Sequence, residues 1–262
     1  MTVNFGRAAD DYAKYRDPLP NALFDQLAER GIEWKGKSVV DLGSGTGLFS
    51  RQLASRGARV TGIEPSLALI GQAVRSDRRY GIDSIQYVNA HAEDFALPGR
   101  YPLFTAVRAW HWFDRVRVIR NLIAHCEPGG HAVVVNSVFL PDSEAAQATF
   151  EIVRSYRIAI GPAGSYAETK ERRCGFPVPW FAEWESHSLR VAGEWEHQYT
   201  LPFTHEEWCG KIRSVSWMTA ADDETRRSVT GSLLRRLSTL DPILHVPHKY
   251  SVVVLRYEGS AG

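Results

Sequence analysis

The chain has 262 residues, 31 basic against 30 acidic side chains and a formal net charge of +1. That balance argues against non-specific binding to nucleic acid or an anionic membrane, which needs a basic surface. With 44% hydrophobic residues the chain can bury one large core, or a core plus a small appendage. The start MTVNFGRAADDYAKYRD lacks a basic segment followed by an apolar one, and no apolar run is long enough to span a bilayer. A cytoplasmic protein, monomer or homodimer, is expected. Cys126, Cys174 and Cys209 are odd in number and widely spaced, which fits reduced thiols and no metal site.

Within residues 1–35, FGRAADDYAKYRDPLP reads as an amphipathic helical cover carrying Tyr12, Tyr15 and Arg16. The next segment, SVVDLGSGTGLFSRQL, is the most informative of the chain. Val39 and Val40 are β-branched residues of a buried strand, and Asp41 sits near its carboxyl end, where open α/β sheets bind ligands. Gly43, Gly45 and Gly47 allow a tight turn and close backbone approach, and Ser44 and Thr46 can cap the helix from Leu48 to Ser55. A dinucleotide fingerprint needs G-x-G-x-x-G, and Leu48 stands where its third glycine belongs. An acid directly before the loop repels a pyrophosphate and welcomes a cation.

A second strand, ARVTGIEPS, ends in Glu64, about twenty residues beyond the loop, the offset of a ribose-binding acid. Taken alone, Glu64 beside Pro65 also reads as a solvated helix-start acid. A third strand, SIQYVNA, leads to His91, Ala92, Glu93 and Asp94; FTAVRAWHWFD is a fourth, and CEPGGHAVVVN turns into a fifth. His111, between Trp110 and Trp112, stands just past the fourth strand and is the candidate catalytic base; His187, His197 and His205 come next. The equally plain alternative is a packed histidine that only shapes the pocket.

The strand pattern pauses after Ser137. Residues 138–192 open on a helix with Ala146, Phe150, Val153 and Ile160 on one face, then run through an irregular aromatic stretch that reads as an inserted lid. Arg172 and Arg173 there are an exposed pair or a hold for a carboxylate or phosphate. EWEHQYTLPF and Tyr250–Tyr257 read as closing strands, and Thr204 with Glu207 has capping-box spacing before a helix.

On the motif Asp41-x-Gly43-x-Gly45-x-Gly47, with Glu64 and the residues after strands three and four, the chain resembles class I S-adenosylmethionine-dependent methyltransferases. The segment Arg213-Ser214-Val215-Ser216-Trp217, the His-Trp-Phe run at 111–113 and the N-terminal tyrosine-arginine stretch are similar to the small-molecule group around trans-aconitate methyltransferases. Asp17 between Arg16 and Pro18 departs from that group's Tyr-Arg-Pro. The resemblance implies an α/β doubly wound seven-stranded sheet in the order 3-2-1-4-5-7-6, its last strand antiparallel, with helices on both faces and a lid after strand 5. It divides the chain into 1–35 (cover), 36–137 (cofactor core), 138–192 (lid) and 193–262 (completion of the sheet).

It further implies S-adenosylmethionine as cofactor. Asp41, Gly43, Ser44, Gly45, Thr46 and Gly47 would lie at its methionine and ribose end, with Glu64 and Pro65 at the ribose hydroxyls. Ala92 and Glu93 would flank the adenine, Ala109 and Trp110 would wall the site, Arg16 would pair with the methionine carboxylate and Tyr15 would fold over it. The expected activity is methyl transfer to a small or medium-sized organic molecule, with His111 as the candidate base and without nucleic-acid or membrane partners. A nicotinamide oxidoreductase and a non-catalytic S-adenosylmethionine-binding protein are the alternatives.

Overall fold

The structure, a computed structural model, describes residues 14–259. In the first half each apolar run alternates with an amphipathic helix, the pattern that builds a parallel sheet through crossovers. The strands are β1 (Ser38–Leu42), β2 (Arg59–Ile63), β3 (Ile85–Val88), β4 (Tyr101–Val107) and β5 (Cys126–Phe139), followed by a two-residue-strand hairpin, β6 (Arg172–Arg173) and β7 (Phe176–Pro177). Two long strands, β8 (Leu189–Thr204) and β9 (Ile243–Tyr257), finish the chain. The sheet order is β3-β2-β1-β4-β5-β9-β8, with the last strands antiparallel. Setting aside the hairpin, this is the expected 3-2-1-4-5-7-6. Parallel pairing sets Asp41 opposite Gly62 on one side and Thr105 on the other, so the carboxyl ends of β1, β2 and β4 lie side by side.

The described residues divide into two compact units. The larger holds 18–136, 164–196 and 251–259, and the smaller holds 14–17, 137–163 and 197–250. The stretch 138–192 therefore contributes to both: its helix, Glu144–Ser155, lies in the smaller unit, and its aromatic part from Gly164 onward lies in the larger. The larger unit's core combines strand residues Val40, Phe104, Val134 and Val253 with Trp180, Phe181 and Trp184 of the helix Val178–Glu185. Three buried aromatic side chains in one short helix explain why this irregular segment is ordered: each buries a large apolar area.

In the smaller unit Trp208, Ile212, Met218, Leu233 and Val246 form the core, and Trp208 Nε1 donates to Thr149 Oγ1 at 2.8 Å. Thr204 and Glu207 make the expected capping box, but the helix runs only from His205 to Arg213, and Ser216–Thr219 forms a separate turn. Two of the three stretches that resemble the small-molecule group meet here. Arg16 Nη2 donates to the Ser214 carbonyl at 3.2 Å, and Tyr15 lies so close to Gly210 that a Cβ there would come within 2.3 Å of the ring. Asp17, the departure from that group's pattern, is buried against Lys211 Nζ, which also meets His248 Nε2. Tyr12 lies outside the described residues. Among the described residues, no helix is long and apolar enough to cross a membrane.

Candidate functional site

The site is built where β1 gives way to the helix Leu48–Ala54. Gly43, Gly45 and Gly47 all adopt left-handed backbone, at φ 68°, 57° and 72°, which ordinary side chains resist. Space makes the same demand: a Cβ on Gly43 would sit 2.7 Å from Ala109 Cβ, and one on Gly47 2.2 Å from Tyr87 Oη. The Gly43 and Ser44 amides donate to the Ile63 carbonyl at 2.9 and 3.1 Å, which pins the loop to the end of β2. The expectation that Ser44 or Thr46 caps the helix fails. Gly47 itself is the N-cap residue, and with no side chain and a left-handed backbone it offers no capping oxygen. Ser44 Oγ is instead buried without a hydrogen-bond partner.

Two carboxylates flank the loop. Asp41, 1% exposed, accepts from Ser50 Oγ at 2.6 Å and from Thr105 Oγ1 at 2.7 Å. Burial pushes its pKa up to about 6, against the lowering effect of those two hydroxyls, and the charge of Glu64 adds to the rise. Glu64, 6% exposed, accepts from the Gly45 amide at 3.0 Å and from the Ser66 amide at 2.9 Å. Burial raises its pKa as well, while both amides and His91 oppose the shift. Glu64 is thus a buried, aimed carboxylate rather than a solvated helix-start acid. Asn89 Nδ2 donates to the Glu64 and Pro65 carbonyls at 3.2 and 2.8 Å and holds that turn.

A buried network that the sequence reading did not find stands behind the loop. Arg51 Nη1 donates to the Thr46 carbonyl at 2.8 Å and to Asp77 Oδ1 at 3.0 Å, and Tyr87 Oη donates to Asp77 Oδ2 at 2.9 Å. Arg51 and Asp77 read as ordinary helix-surface charges, and nothing local marks them as buried. A signal for the Asp41 partners was present: Thr105 is a lone hydroxyl in an apolar strand, and parallel pairing puts it opposite the acid.

The other predicted residues of the larger unit gather at the ends of β3 and β4. Ala92 is part of the core, and Glu93 Oε1 accepts from the Asp114 amide at 2.8 Å, tying the β3 loop to the segment after β4. That segment begins with a strained residue: Arg108 has φ 55° without being glycine, and its amide donates to the Val135 carbonyl at 2.8 Å. Ala109 and Trp110 are buried, and Trp110–Trp112 form a single 3-10 turn. His111 is half-buried, its ring 4.8 Å from Trp112 and 5.1 Å from Tyr166.

The remaining candidates have other engagements. His187 Nδ1 meets the Glu183 carbonyl at 2.9 Å, His197 stacks on Tyr250, and His205 Nε2 meets the Asp241 carbonyl at 2.9 Å. Arg172 donates to the Tyr166, Thr169 and Glu171 carbonyls, and Arg173 pairs with Glu194 at 3.0 Å, so both arginines bind the chain itself. Tyr15 and Arg16 belong to the smaller unit, with the contacts given above. Among the described residues no group of three or more His, Cys, Asp or Glu is arranged to hold a metal ion.

Comparison with known proteins points to the same loop. Residues 39–130 match a family described as a methyltransferase domain. A ubiquinone biosynthesis O-methyltransferase from Pseudomonas savastanoi pv. phaseolicola is 37% identical over 113 residues, 42% of this chain and 48% of that protein. The chain spans about half the length of the curated relatives it matches. Two solved structures share the fold. A candidate type II methyltransferase from Anaeromyxobacter dehalogenans has a TM-score of 0.65 at 22% identity, covering 94% of this chain and 100% of that one. An S-adenosylmethionine-dependent methyltransferase from Thiobacillus denitrificans, solved with S-adenosylhomocysteine, has a TM-score of 0.56 at 19% identity, covering 97% and 99%.

Proposed function

This chain carries a class I S-adenosylmethionine-dependent methyltransferase domain over residues 39–130, and we propose that it transfers a methyl group to a small or medium-sized organic acceptor. The observation that carries this reading is the pairing of a backbone-lined glycine loop with two buried carboxylates, Asp41 and Glu64. Such a site repels a pyrophosphate and suits a ligand with cationic groups and ribose hydroxyls, which disfavours the nicotinamide alternative. The residues present fit the cofactor: Glu64 is a buried carboxylate oriented at the loop by the Gly45 amide, and Ser44 Oγ is a buried hydroxyl without a protein partner.

When bound, S-adenosylmethionine supplies a methyl group on a positively charged sulfur, open to direct in-line displacement. Glu64, its carboxylate oriented by the Gly45 and Ser66 amides, would accept from the ribose hydroxyls. Asp41, 1% exposed and held by the Ser50 and Thr105 hydroxyls, would act through its charge behind the loop. Pro65, Ala92 and Glu93 would border the nucleoside, and Ala109 and Trp110, both buried, would wall the methionine side and exclude water. A proton released by an acceptor hydroxyl or amine passes to the His111 ring, while a carboxylate acceptor needs no base. The name of the Pseudomonas relative supports an oxygen acceptor on an organic molecule, and the aromatic segment from Gly164 to Trp184 suits a natural-product intermediate or organic acid.

The test is transfer of a labelled methyl group from S-adenosylmethionine to a panel of phenols, carboxylic acids and amines. With an accepted substrate, His111→Ala is expected to lower turnover by about 10²- to 10⁴-fold with nearly unchanged cofactor affinity, the range for a lost general base. Full turnover in that variant removes the base role, and binding without transfer to any acceptor favours the non-catalytic alternative.

A further inference from the structure

The segment Gly164–Glu168 sits directly on the turn that carries His111, and four separate contacts hold it there. Gly164, at φ 53°, approaches so closely that a Cβ would lie 2.1 Å from the His111 carbonyl oxygen. Ser165 Oγ donates to that same oxygen at 3.2 Å. Tyr166 lays its ring 5.1 Å from the His111 imidazole, with Trp180 on its other contacts at 4.9 Å. Glu168 closes the segment through an ion pair with Arg115 at 3.1 Å, and Arg115 is itself gripped by Glu183 through two bonds of 2.6 and 2.8 Å. A glycine placed where only glycine fits, on a backbone atom of the candidate base, is a costly arrangement for a loop that merely passes by.

We propose that Tyr166 is a positioning residue for His111, delivered by the Gly164–Glu168 clamp; the inference rests on the assignment of His111 to the reacting end of the site. Trp112, next to it in sequence, and Tyr166, from across the unit, both lie tilted against the imidazole, and such contacts restrict a ring that is only half-buried. Tyr166 is itself immobilised: 9% exposed, with Arg172 5.6 Å from its ring and bonded to its carbonyl. Its hydroxyl faces the Asn136 amide at the end of β5 without a hydrogen bond of good geometry. Burial holds that hydroxyl's pKa well above the usual range, with Arg172 and Asn136 opposing, so it remains a neutral donor. The ring, held in place by these contacts, orients the base.

The experiment is nuclear Overhauser contact between the His111 and Trp112 rings in the full chain, with S-adenosylhomocysteine affinity as the control for an intact cofactor site. Tyr166→Phe keeps the contact; Tyr166→Leu loses it, as the imidazole samples several orientations, while S-adenosylhomocysteine still binds within about three-fold of wild type. With an accepted substrate, Tyr166→Leu lowers kcat by about 10- to 100-fold, the scale of a misplaced catalytic group, whereas Tyr166→Phe, which keeps the ring, leaves kcat near wild type. Should Tyr166→Leu fail to fold, Gly164→Ala, which forces the segment off the His111 carbonyl, must lose the same ring contact. An undisturbed His111–Trp112 contact in either folded variant overturns the inference. Loss of S-adenosylhomocysteine binding by the wild-type protein would instead overturn the proposed function and leave the ring measurement to stand by itself.

Discussion

Asp41 is kept charged at a cost. Its carboxyl titrates at about 3.8 in an unfolded chain and about 6 in the folded one, because burial outweighs the Ser50 and Thr105 hydroxyls. Below both values the group is neutral in either state and costs nothing. As pH rises between them the unfolded chain loses its proton first, so folding stability falls, and above about 6 the penalty is constant at roughly 3 kcal/mol. Asp41→Asn removes this titration. Urea unfolding of the variant and wild type should therefore give a stability difference that moves in the variant's favour between pH 4 and pH 7, and a pH-independent difference would contradict the burial account. The same variant should bind S-adenosylhomocysteine more weakly, since a positive ammonium is what the buried charge awaits.

At the scale of elements, the loop from Gly43 to Gly47 depends on backbone freedom and on the Arg51–Asp77–Tyr87 network beneath it. Gly47→Ala forces a Cβ against Tyr87 Oη in a left-handed backbone. It should cost more than about 2 kcal/mol, strain and clash together, and weaken S-adenosylhomocysteine binding about ten-fold or more. Gly36 also has positive φ, at 73°, with nothing within 4 Å of its would-be Cβ. Gly36→Ala should therefore show only the strain of about 1 kcal/mol and unchanged binding; equal effects of the two substitutions, measured by denaturation and calorimetry, would show that the network is irrelevant.

The loop and the Thr204 cap were legible because their signals are local: a glycine demanded by φ, a hydroxyl followed three residues later by an acid. The buried Arg51 was not, because only packing distinguishes it from a surface arginine. The closing strands were found but shortened. Glu194–Phe203 and Tyr250–Tyr257 prove to be Leu189–Thr204 and Ile243–Tyr257, because in the missed parts polar residues such as Arg190 and His245 occupy outward positions between buried or half-buried ones.

At the scale of the whole molecule, the larger unit holds the glycine loop, both carboxylates, His111 and Tyr166, assembled from residues 41 to 166, while the smaller unit has its own apolar core and a buried Asp17–Lys211 pair. The doubly wound parallel sheet was readable from alternation of strand and helix, and its strand order only through the family resemblance; the division of 138–192 between units was not readable, since it follows from which core each half joins. The central claim is that the larger unit binds the S-adenosyl nucleoside through Glu64 rather than a dinucleotide. Calorimetric titration of the purified chain with S-adenosylhomocysteine and, separately, with NADH tests it most directly. The account predicts binding of the first and none of the second, with Glu64→Ala, still folded, raising the dissociation constant about ten-fold or more, the worth of a hydrogen bond to a charged group. NADH binding without S-adenosylhomocysteine binding, or undiminished S-adenosylhomocysteine affinity in Glu64→Ala, would contradict it.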